Sequence, residues 1–125
     1  MVLCDTNIII EFFKGNQEII TELKEIGQEN LAISAITAGE LLFGAINKKE
    51  LSLISSGFSR LNVLPVTEMI SEKFLDLMMQ YSLSHRPTIP DLLIAATAMV
   101  HDCELFTLNI KDFKYIDGVN LFGVE

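Results

Sequence analysis

The chain has 125 residues, half of them hydrophobic, with nine basic and seventeen acidic side chains and a formal net charge of −8. That length holds one domain with its own core, and the acidity argues against a surface built for non-specific binding to phosphate backbones. The longest apolar stretch, 92–100, is interrupted by Thr97 and is far too short to cross a bilayer.

A mean hydropathy of +0.38 is high for so small a globule, so part of the apolar surface is expected to face a subunit or partner. The opening Met1-Val2-Leu3 carries no basic region or cleavage site of a secretory signal, and Cys4 and Cys103 have no zinc-like or disulfide-framework spacing. Buried, reduced thiols in a cytoplasmic protein are the expectation.

Val2-Leu3-Cys4 reads as a short buried strand ending at Asp5-Thr6-Asn7, followed by a helix over 8–13 closed by Gly15. From 17 to 26 the chain is amphipathic, with Ile19, Ile20, Leu23 and Ile26 on one stripe, the glutamates opposite and Gly27 at the end. Leu31-Ala32-Ile33 is a second strand, Ser34 caps a helix to about Asn47, and a weaker helix covers 51–61. Lys48-Lys49 then falls at a helix C-terminus, where it complements the dipole. A third strand covers 62–66. Thr67 caps a long helix from Glu68 to about Leu83, with Ile70, Phe74, Leu77, Met78 and Tyr81 facing inward. Thr88 caps the next helix, from Ile89 to about Asp102, a fourth strand covers 105–108, and 119–122 supplies a possible fifth. Short apolar strands alternating with helices indicate a three-layer α/β/α fold around a mainly parallel sheet of four to five strands, within one domain over 1–125. Sites in such sheets form beyond the carboxyl ends of the strands, where Asp5 lies.

Most acidic residues fall on polar helix faces. Three do not. Asp5 ends an unbroken apolar strand, as a turn residue or helix cap also would. Glu40 is the only charge from Leu31 to Ile46, with Ile36, Phe43 and Gly44 as helical neighbours. A carboxylate on an apolar face is costly unless paired or metal-bound. Between Ile89 and Val100, Asp91 shares its helix with one other polar residue, Thr97. Thr88-x-x-Asp91 is also a capping-box pattern, and the two roles are compatible. After the last clear strand, Asn109 and Asp112 are both placed to complete such a group, and residue chemistry does not choose between them. Oxygen donors without clustered His or Cys suit Mg²⁺ or Mn²⁺ rather than zinc, and two such ions can drive phosphodiester cleavage. Phe12, Phe13, Met78, Met79 and Tyr81 exceed what core patterning needs and are shared between extra core and an interface. His85 and His101 fall outside every motif.

The segments Val2–Ile10, Gly39–Gly44, Pro90–Ala96 and Thr107–Phe113, in this order and spacing, resemble the successive acidic motifs of PIN domains, and most of all those of the VapC toxins of VapBC toxin–antitoxin pairs. The resemblance covers the whole chain. It implies an endoribonuclease dependent on Mg²⁺ or Mn²⁺ with two ions per site, an RNA substrate, a homodimer, and a cognate VapB-like antitoxin. It also implies Asp5, Glu40 and Asp91 as ligands, Asp112 or the neutral Asn109 as the fourth, and Thr6, Asn7 and Thr107 as orienting groups. The low basic content departs from an RNA-binding surface. A housekeeping RNA-processing nuclease and an inactive protein-binding PIN module are the alternatives. An aspartyl phosphotransferase fits less well, because Asn7 stands where its second Asp is required.

Overall fold

The computed structural model describes residues 1–124. Five parallel strands form one sheet in the order β3-β2-β1-β4-β5: β1 (Val2–Cys4), β2 (Leu31–Ser34), β3 (Asn62–Leu64), β4 (Glu104–Phe106) and β5 (Asn120–Leu121). Six α-helices flank it: α1 (Thr6–Phe13), α2 (Gln17–Ile26), α3 (Ala35–Phe43), α4 (Lys48–Gly57), α5 (Glu68–His85) and α6 (Ile89–Val100).

Alternation along the strands sorts the core into two layers. Leu3, Ala32 and Leu105 point to the face covered by α5 and α6, with Ile70, Leu77, Leu92 and Ile94 beneath them. Val2, Cys4, Leu31, Ile33 and Phe106 point to the other face, against Ile8, Ile9, Ile19 and Leu23 of α1 and α2. The three-layer expectation holds. Ala95, Ala96 and Ala98 are all within 1% of full burial, which lets α6 lie close on the sheet. Cys4 and Cys103 are free and buried; burial, with Asp5 beside it, pushes the Cys4 thiol up to about 12.

Element ends differ from the sequence reading for identifiable reasons. β3 stops at Leu64 rather than 66 because Pro65 has no N–H for the ladder. β4 covers 104–106 rather than 105–108, since Thr107 turns its hydroxyl into the site. Helix α3 ends at Phe43, because the Asn47 side chain instead accepts from the Glu50 N–H at 2.8 Å and starts α4. Lys48 and Lys49 therefore open a helix rather than close one, at the end where the dipole disfavours them. Tyr81 is core, whereas Phe12, Phe13 and Met79 are exposed.

The strand order reverses between β1 and β4, and the crevice beyond their carboxyl ends is where such a sheet forms a site.

Candidate active site

Asp5 stands at that reversal point, one residue past β1, and is 5% exposed. Both carboxylate oxygens are held by neutral donors. Oδ1 accepts from the Thr6 N–H at 2.8 Å, which makes Asp5 the N-cap of α1 and starts that helix at Thr6 instead of Ile8. Oδ2 accepts from the Thr107 hydroxyl at 2.7 Å, and Thr107 Oγ1 in turn accepts from the Asn109 N–H at 3.0 Å. Asn7 spans the same gap, its Oδ1 accepting from the Leu108 N–H at 3.3 Å. Asp5 and Asn7 thus clamp the segment after β4, while Thr6 between them faces α3.

Glu40 comes from α3. It is exposed, and so is Phe43, so the cost of an apolar face is not what marks this carboxylate. A hydrogen bond marks it instead: the Thr6 hydroxyl donates to Glu40 Oε1 at 2.7 Å. Thr6 Oγ1 also lies 3.0 Å from Thr37 Oγ1. With its single proton engaged by Glu40, Thr6 is the acceptor in that second pair. Thr37 is fully buried, its own N–H capped by Ser34 Oγ at 3.0 Å. Sequence reading missed Thr37; its signal was a hydroxyl one turn before Glu40 in an otherwise apolar segment.

Asp91 sits in the first turn of α6 and its backbone N–H donates to Thr88 Oγ1 at 3.3 Å, so Thr88 is the cap and the bond does not use the Asp91 carboxylate. It is also part of the acidic group. Burial raises its carboxyl, the Thr88 side chain opposes this, and the charges of Asp5, Asp112 and Glu40 raise it further. Asp5 behaves alike: burial raises it, the bonds from Thr107 and Thr6 pull it down, and Glu40 and Asp112 push it up again. Asp112, half-buried in the turn after β4, thus acts on both. Asn109 is exposed, and its side chain makes no capping bond.

Among the described residues, Lys14–Glu11 is the only ion pair within 4.0 Å, so no cation neutralises these carboxylates. Nor do any three acidic, His or Cys side chains converge tightly enough to enclose one ion. An open set of oxygen donors is what Mg²⁺ accepts, because it keeps several waters and takes only one or two carboxylates directly. The donor chemistry fits a hard divalent cation bound partly through water, not a compact cage.

A sheet reversing at a buried aspartate, with carboxylates converging from α3, α6 and the turn after β4, defines a class of acidic α/β/α domain. The family model of the PIN domain matches residues 2–119, and the chain belongs to that family. Its curated relatives include Ribonuclease VapC10 of Mycobacterium tuberculosis, 34% identical with 94% of this chain and 89% of the relative covered. Ribonuclease VapC19 of the same organism is 35% identical over 90% and 92%. The tRNA(fMet)-specific endonuclease VapC of Shigella flexneri is 26% identical over 94% and 92%. Among solved structures, a toxin–antitoxin complex from Klebsiella pneumoniae superposes with a TM-score of 0.81 at 34% identity, covering 95% of both chains. VapBC2 from Rickettsia felis, bound to a promoter DNA fragment, gives 0.85 at 26%, covering 97% of both. No helix among the described residues is long and apolar enough to cross a membrane.

Proposed function

We propose that this chain is a Mg²⁺- or Mn²⁺-dependent endoribonuclease and the toxin of a VapBC-type pair. The observation that carries the reading is Asp5, a buried carboxylate just past the central strand, bonded only to neutral donors and flanked by other carboxylates, with no ion-pair partner among the described residues. Uncompensated charge in such a place is costly, and a hard divalent ion is the counter-charge that oxygen donors select. Asp5, Glu40, Asp91 and Asp112 would hold one or two such ions, with Asn109 the neutral alternative to Asp112. A bound ion supplies charge for the phosphodiester oxygens and a water of lowered pKa. The chain's own groups orient the ligands: Thr107 and the Thr6 N–H fix Asp5, the Thr6 hydroxyl fixes Glu40, and Asn7 ties the two segments together.

The relatives' names as ribonucleases and a tRNA endonuclease support an RNA substrate. The toxin–antitoxin structures support a VapB-like partner. So does an apolar groove of about 450 Å³ lined by Ile9, Phe12, Phe13, Leu23, Ile54 and Phe58, with Lys24 and Arg60 also in its lining, a form suited to an amphipathic helix. Leu75, Met79 and Leu83 make an exposed apolar stripe along α5, which a second copy would cover in a homodimer.

The test is cleavage of RNA by variants. Asp5→Ala, Glu40→Ala and Asp91→Ala each abolish cleavage while the circular dichroism of the fold persists, and Glu72→Ala cleaves normally. A Glu40→Ala protein cutting at the wild-type rate contradicts the assignment of α3.

A further inference from the structure

Two aromatic side chains that the site does not use stand beside it. Tyr115 follows Asp112 by three residues in a segment closed by short-range bonds, among them Lys114 N–H to Ile110 O at 2.9 Å. His85 ends α5, and Arg86-Pro87-Thr88 leads from it into α6, whose first turn carries Asp91. The imidazole lies flat on the Tyr115 ring, with centroids 4.0 Å apart and planes 8° from parallel.

Tyr81 meets both rings edge-on, at 5.7 Å from His85 and 5.1 Å from Tyr115. Such similar distances put it beside the stack, because a ring over either outer face would be far from the other partner. Tyr81 is itself fixed: it is 8% exposed and its hydroxyl accepts from the Asp117 N–H at 3.1 Å. Ser84 Oγ, 2.8 Å from His85 Nδ1, holds the imidazole from its own helix. His85 is nonetheless exposed. The result is an aromatic stack braced by Tyr81 and Ser84, with His85 as its exposed member.

Burial first, and then the charges of Asp91 and Asp112, push the Tyr115 phenol above its usual range, which fits a stack standing at the edge of the acidic group. A chain of net charge −8 gains little RNA affinity from phosphate contacts. Stacking on an aromatic face needs no charge and admits any unpaired base. Arg86, in a left-handed turn at φ 48° with its Nη1 donating to Ser82 O at 3.5 Å, adds one cation at the same corner.

We propose that the His85–Tyr115 stack is a platform that receives an unpaired RNA base as the strand enters the acidic site. The proposal rests on the ribonuclease reading and selects single-stranded over duplex RNA.

The test is steady-state cleavage of a single-stranded RNA oligonucleotide in Mn²⁺ by wild type, His85→Ala and His85→Phe. His85→Ala raises KM about tenfold and alters kcat less than about twofold, while His85→Phe, which keeps a flat ring, stays near the wild-type KM. An unchanged KM in His85→Ala, or a His85→Phe protein as impaired as His85→Ala, overturns the platform. A wild type that cleaves no RNA overturns the ribonuclease reading instead. The platform is then judged by binding, because the chain has two tyrosines and no tryptophan, so tyrosine fluorescence reports directly. Quenching by the oligonucleotide that His85→Ala abolishes supports it, and no quenching in wild type overturns it.

Discussion

Asn109 and Asp112 lie three residues apart in the turn after β4, and they are the two candidates for the proposed fourth ligand. The charge of Asp112 reaches Asp5 and Asp91, whereas Asn109 is held by its backbone, through the bond to Thr107. Asp112→Asn therefore reduces cleavage strongly and Asn109→Ala only moderately, compared across one Mn²⁺ titration. A dead Asn109→Ala beside a normal Asp112→Asn reverses the assignment. Asp91 gives a second test at this scale. Its folded carboxyl titrates above the ordinary 3.8, so the ionised form is the costly one in the fold. That cost is complete above the raised value and disappears as the pH falls below 3.8. In EDTA, Asp91→Asn thus melts higher than wild type at pH 7, and the gap closes as the pH approaches about 4. A wild type at least as stable as the variant at pH 7 contradicts the unpaired charge.

Helix starts link local sequence to the site. Thr67 and Thr88 make the same cap, each hydroxyl accepting an N–H at 3.3 Å, but of the two helices only α6 carries a proposed ligand, Asp91. Replacing either by Ala costs about 1 kcal/mol of stability. Thr88→Ala also lowers cleavage by loosening Asp91, and Thr67→Ala leaves it unchanged; equal effects on cleavage would mean that the cap does not position Asp91. Caps were also where the elements were legible. Ser34, Thr67, Thr88 and Gly27 mark their ends as read from composition and spacing. The failures arose where two signals competed. Asn47 suits a helix end or a helix start, and only packing places α4 so that it becomes the start. On α5, by contrast, the stripe read as inward, Ile70, Phe74, Leu77, Met78 and Tyr81, is the one the core takes.

For the whole molecule, the strand alternation and the order of the four acidic segments were enough to give the layers and the neighbourhood of Asp5. What sequence did not supply was contact across the chain. Thr107 reaching Asp5 across 102 positions and Thr6 reaching Glu40 across 34 are products of strand order, as is the His85–Tyr115 stack. The acidity that argues against RNA binding has a consistent physical role, since part of it is concentrated where divalent ions would offset it. Metal dependence is therefore the claim on which the rest depends. The most direct measurement is RNA cleavage by EDTA-stripped protein as Mn²⁺ is added back. The account predicts no cleavage in EDTA and restored cleavage by millimolar Mn²⁺, absent in Asp5→Ala at every concentration. Full cleavage in EDTA, or equal cleavage by Asp5→Ala, would contradict it.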